Sequence, residues 1–193
     1  MKFKYLKHFE LPYKNGNIIW SICPYTGHLL KASIPTEKKT NSTIPTKVSL
    51  ALEYCNNPYL CNLTKEVKVE DDNVKLFNDL NKMHESLLKI GNNRFFLTRL
   101  YSSMKNFVFE NTIEAISHIN RLSPQIAFKH KLCLQRAFLS AKISQSFTSD
   151  GVIFIGAFLP TGDMHAWIIE NGRQPDYDDR GWINYRPLLA FYH

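Results

Sequence analysis

Three stretches decide the fold: Cys133-Leu134-Gln135-Arg136-Ala137-Phe138-Leu139, Val152-Ile153-Phe154-Ile155-Gly156-Ala157-Phe158 and Met164-His165-Ala166-Trp167-Ile168-Ile169-Glu170. The first reads as a helix running to about Ser144. The second is continuously apolar, which suits a strand buried on both faces. Thr148-Ser149-Asp150-Gly151 and Leu159-Pro160-Thr161-Gly162-Asp163 supply turns on either side of it. The third reads as a strand ending at Asn171-Gly172, and Asn-Gly between apolar runs is the strongest short hairpin signal. Arg186-Pro187-Leu188-Leu189-Ala190-Phe191-Tyr192 closes the chain as a further strand, whose proline restricts it to a first position or an edge. The last third is therefore α+β: a helix carrying a cysteine, packed on an antiparallel sheet.

Upstream the pattern is β-then-α. A run from Lys4 to Leu11 meets Lys14-Asn15-Gly16-Asn17, followed by Ile18 to Cys23, a turn at Pro24-Tyr25-Thr26-Gly27 and a third strand from His28 to Ile34. Residues 35–45 are polar and read as a loop. Lys47 to Tyr54 reads as a short helix stopped by Asn56-Asn57-Pro58. Asp72 can cap a helix from Val74 to Ile90, Phe95 to Phe109 reads as helical, and Asn111 or Thr112 caps another helix through Ile119.

The chain has 193 residues, 44% of them hydrophobic and 13% aromatic, a globular composition. No apolar run reaches the roughly 18 residues that span a bilayer. The basic start, Met1 to His8, leads into no signal-peptide apolar region, so a cytoplasmic location is the default expectation. The net charge of +7 lies upstream of Cys133: residues 133–193 carry five Lys/Arg against six Asp/Glu. Without a dense basic cluster, zinc-finger spacing or signature motif, nucleic acid is not the expected partner. Cys23, Cys55, Cys61 and Cys133 match no zinc pattern and read as free thiols, the first three as buried structural ones.

Chemistry concentrates around Cys133 and His165. A thiol becomes a strong nucleophile when an imidazole draws off its proton, and that imidazole needs an orienting group. A helix gives Cys133 a rigid mount, and a position near its N-terminus adds a favourable dipole. The Cys133 N–H is the natural oxyanion donor, with Gln125 as a second candidate. His130, three residues before the cysteine, shares its attachment and would approach it poorly. For the acid, a two-residue turn at Asn171-Gly172 would pair Glu170 with Arg173, Ile168 with Pro175 and His165 with Asp178. A bulge or longer turn would bring in Asp176 instead, and spacing leaves both open. The plain alternative is an inert core thiol, a strand histidine and a solvated Asp cluster.

Cysteine on a helix, then histidine and aspartate on a hairpin, resembles the order of papain-like and transglutaminase-like catalysts. More specifically, Cys133-Leu134-Gln135-Arg136-Ala137, Val152-Ile153-Phe154-Ile155-Gly156, His165-Ala166-Trp167 and Pro187-Leu188-Leu189 resemble the lasso-peptide maturation protease, the B protein of microcin-type operons, over roughly residues 110–193. The resemblance implies a transglutaminase-like cysteine protease domain over 91–193, with Cys133 as nucleophile and His165 as base and then acid. Its acid stands twelve residues after the histidine, here Tyr177, flanked by Asp176 and Asp178. A one-residue gap near Gln174-Pro175 favours Asp176, with Asp178 next. Over 1–90 the resemblance implies a leader-recognition module of winged-helix shape, whose candidate edge is His28 to Ile34; a plain extension of the protease domain is the other reading. The implied partners are a precursor peptide and an asparagine-synthetase-like cyclase. No cofactor is expected on the chain itself, and ATP dependence would come through the cyclase. A non-catalytic precursor-binding chaperone and a transglutaminase-type acyltransferase are the alternative functions.

Overall fold

In the computed structural model the described residues are 6–24, 28–33, 43–61, 78, 82, 109–122, 132–176, 179 and 181–193. In chain order they form β1 (Lys7–Glu10), β2 (Tyr13–Asn15), β3 (Ile18–Ile22), β4 (Leu29–Ser33), α1 (Thr46–Asn56), α2 (Thr112–Leu122), α3 (Leu132–Ile143), α4 (Phe147–Asp150), β5 (Gly151–Phe158), β6 (Asp163–Glu170) and β7 (Arg186–Tyr192). Single 3-10 turns occupy Pro58–Leu60 and Gly181–Asn184. The fold is α+β with two antiparallel sheets, ordered β1-β7-β5-β6 and β2-β3-β4. The helices expected from Val74 to Ile90 and from Phe95 to Phe109 lie almost wholly outside the described residues, as do Gln125, His130 and Asp178.

The unbroken apolar run of β5 is explained by its place. It is an interior strand, and alternate side chains enter two different cores. Ile153, Ile155 and Ala157 face one core with Ala166 and Ile168 of β6, Ile116 and Ile119 of α2, and Phe138 and Leu139 of α3. Val152 and Phe154 face the other, with Trp167 and Ile169 of β6, Val48 and Ala51 of α1, and Trp182. Each large side chain so buried contributes roughly 1.5–3 kcal/mol against conformational entropy.

Two strand expectations needed revision. The run from Lys4 to Leu11 does not continue into the meander: Lys7–Glu10 pairs with β7, Lys7 opposite Tyr192 and Glu10 opposite Leu189. After Leu11-Pro12 the chain changes sheets, and Tyr13–Asn15 pairs with β3. The closing strand is not an edge, since β7 lies between β1 and β5. Pro187 is tolerated because it is the second residue and lies at a register shift, where Ile155 opposes Leu189 but Gly156 opposes Pro187. The bulge turns both Leu188 and Leu189 into the α2/α3 core.

The boundary expected at residue 90 lies outside the described residues. Those before it share the sheet of those after it, through β1 on β7 and through α1 against β5, β6 and β7. Asn111 caps α2 by accepting the Glu114 N–H at 2.8 Å. At the far end of β6, buried Glu170 accepts hydrogen bonds from Thr112 Oγ1 at 3.0 Å and Ser146 Oγ at 2.7 Å, tying α2 to the sheet. Among the described residues no helix is long and apolar enough to cross a membrane.

Candidate active site

Among the described residues β6 is an edge strand of the larger sheet, and α3 packs across it with Cys133 as its second residue. The Cys133 N–H therefore belongs to the first turn, where helix amides have no intrahelical acceptor. The thiol is hydrogen-bonded to His165, and the backbone N–H groups of Ala166 and Leu134 also point to the sulfur. His165 faces away from the α2/α3 core, stacked near Trp167 (ring centroids 6.1 Å apart, 13° between planes), with Tyr185 at 4.9 Å. Its Nε2–H donates to Asp179 Oδ2 at 2.7 Å, which leaves Nδ1 for the thiol.

The hairpin formed as far as its turn. Asn171 (φ 49°) and Gly172 (φ 69°) both have positive φ, the requirement of a type I′ turn, and Glu170 and Arg173 exchange two backbone hydrogen bonds of 2.9 Å. The ladder ends there. Pro175 has no N–H to donate, and the expected pairing of Ile168 with Pro175 is absent. Beyond it the Asp179 N–H donates to the Asp176 carbonyl at 3.1 Å.

That change of backbone revises the acid. Asp176 does not face His165: it accepts from Arg136 Nε at 2.8 Å and from Asn120 Nδ2 at 3.0 Å. Asp178, the other candidate, lies outside the described residues. The carboxylate on the imidazole is Asp179, which belongs to the acidic cluster but was missed by counting strand pairs. The signal was the proline: once Pro175 interrupts pairing, register beyond it carries no information.

Electrostatics follow from these contacts. Burial alone would push the Cys133 thiol up, but the hydrogen bond and charge of His165, then the two backbone N–H groups, bring it below its ordinary value. Burial would likewise lower the imidazole, yet hydrogen bonds to Asp179 and Cys133 and their negative charge raise it to about 9. Both shifts favour a thiolate–imidazolium pair. Among the described residues no group of three or more His, Cys, Asp or Glu side chains is arranged to hold a metal ion. No family model, curated protein or solved structure matched this chain in the comparisons made.

Proposed function

We propose that the chain is a transglutaminase-like cysteine peptidase that removes the leader from a ribosomally made lasso-peptide precursor. The observation that carries this reading is the line Cys133–His165–Asp179, with the cysteine at a helix N-terminus and the histidine on an edge strand. The Cys133 thiolate adds to the carbonyl carbon of the leader–core bond. The Cys133 N–H stabilises the oxyanion so formed. The His165 imidazolium gives its proton to the departing amine as the C–N bond breaks, leaving a thioester. Neutral His165 then takes a proton from water as its oxygen attacks the thioester, and the collapsing intermediate expels the thiolate and frees the leader acid. Asp179 holds the ring in the productive tautomer throughout.

The cyclase that closes the ring, and the ATP it consumes, belong to the partner in this scheme. Leader recognition falls to the N-terminal strands. Among the described residues β4 has a neighbour on one side only, and Leu30 is 48% exposed, so its outer edge is open to an added strand.

Mass spectrometry of a precursor incubated with cyclase, ATP and either wild type or Cys133→Ala tests the proposal. Free leader is expected with wild type only, with its new carboxyl terminus formed by water. Leader released by both proteins would remove Cys133 from the reaction. Leader recovered joined to an amine would make the chain an acyltransferase.

A further inference from the structure

Asp176 is buried and lies three residues before Asp179, and its carboxylate is paired with Arg136. Its carboxylate closes a triangle. Arg136 Nε donates to one oxygen at 2.8 Å, Asn120 Nδ2 donates to the other at 3.0 Å, and Arg136 Nη1 donates to Asn120 Oδ1 at 3.2 Å. Arg136 is three residues beyond Cys133 on α3, so the helix that mounts the nucleophile also mounts this guanidinium. The planar fork of Arg suits two acceptors held at fixed angles, which a lysine ammonium would not satisfy together.

The backbone of Asp176 faces the other way. Its carbonyl accepts the Asp179 N–H at 3.1 Å, and its own N–H donates to Gln174 Oε1. The amide of that same buried Gln174 donates to Asp179 Oδ2 at 3.2 Å and to the Asp179 carbonyl at 3.3 Å. Asp179 therefore has two supports, a backbone bond and a side-chain amide, and both depend on where Asp176 sits. The same residue whose backbone holds Asp179 is thus tied by its carboxylate to the Cys133 helix.

We propose that Asp176, Arg136 and Asn120 form a positioning clamp that ties Asp179 to the nucleophile helix and so keeps the Asp179 carboxylate on His165 Nε2. The proposal rests on the reading of Cys133, His165 and Asp179 as the reacting set. It gives the neighbouring acids separate duties: Asp179 orients the imidazole, and Asp176 orients Asp179. It also gives Arg136 a role outside the reacting set.

The test follows His165 directly, by NMR titration of its ring, together with thiolate absorbance at 240 nm and thermal melting. In wild type the imidazole is expected to titrate near pH 9. In Asp176→Ala it falls toward the ~6.5 of a free histidine, and the thiolate signal at neutral pH is lost in parallel. Precursor cleavage drops about tenfold in kcat with KM unchanged within about twofold, a loss confined to the chemical step. Asp176→Asn, which preserves shape, is expected to fold and show a smaller shift in the same direction. The exchange Arg136→Asp with Asp176→Arg restores part of the signal. A folded Asp176→Asn or Asp176→Ala whose His165 titrates as in wild type would overturn the clamp while leaving the catalytic reading standing. A wild-type His165 that titrates near ~6.5 with no thiolate would overturn that reading and the clamp with it.

Discussion

Cys133 and Cys55 pack against the two cores on opposite faces of one sheet, and their thiols move in opposite directions. Cys133 is the second residue of its helix; Cys55 is the last but one of α1. Burial acts on both and raises both. At Cys133 it is outweighed by an imidazole, two backbone N–H groups and the positive end of a helix. At Cys55 nothing of that strength opposes it, the nearby Cys61 adds to it, and the thiol is pushed up to about 12. Partial burial therefore does not mark a reactive cysteine; the donors around the sulfur do.

The strongest way to break this contrast is to exchange its members. Cys133→Ala is expected to lower precursor cleavage by at least ~10³-fold with the melting curve close to wild type, whereas Cys55→Ala changes kcat by less than about twofold. Comparable losses in both would erase the distinction. The next largest effect falls on the orienting acid. Asp179→Asn should cost roughly 10²-fold in kcat, because the imidazole loses both its tautomer preference and a stabilising charge. Asp178→Asn should stay within about twofold, and the reverse order in steady-state kinetics would return the acid to Asp178.

The pH dependence sharpens the same comparison. His165 is raised, so its charged contacts stabilise the fold fully below the ordinary histidine range and lose that contribution as pH rises through about 9. Cys133 is lowered, so the thiolate's contribution is present above the ordinary thiol range and disappears as pH falls through its depressed value. Cleavage should accordingly fall on the alkaline side with an apparent pKa near 9, read from kcat/KM profiles. An alkaline limb near neutrality would contradict the ion pair.

The smallest expected effect concerns the strand opposite His165. Gly156 pairs with His165, and a Cβ there would clash with the Arg186 carbonyl oxygen and lie 2.7 Å from the Trp167 ring. Gly156→Ala should cost about 1–3 kcal/mol, seen as a lowered Tm. An unchanged Tm would mean that the bulge at Gly156 relaxes freely.

Legibility in the sequence followed the strength of local signals. The helix at Cys133, the apolar β5 and the Asn171-Gly172 turn are written in runs of unambiguous periodicity or turn chemistry, and they formed where expected. Pairing partners distant in sequence were not legible: nothing in Lys7–Glu10 announces that it joins β7 rather than the strand after it. The meeting of Cys133 and His165 was legible because strand and helix fix their directions. Asp179 was not, because it sits past a proline on irregular backbone, where its position is set by Gln174, Arg136 and Asn120. Side chains that act through other side chains leave no period to read.

Cys133 alone among these thiols is expected to be activated, which can be tested without any substrate. Native protein is treated with iodoacetamide across pH, and the labelling of each cysteine is quantified by peptide mass spectrometry. Cys133 should label at rates that plateau below the pH at which an ordinary thiol ionises, with Cys55 labelled only after unfolding. Equal labelling of Cys133 and Cys55, both rising only in the alkaline range, would contradict the account.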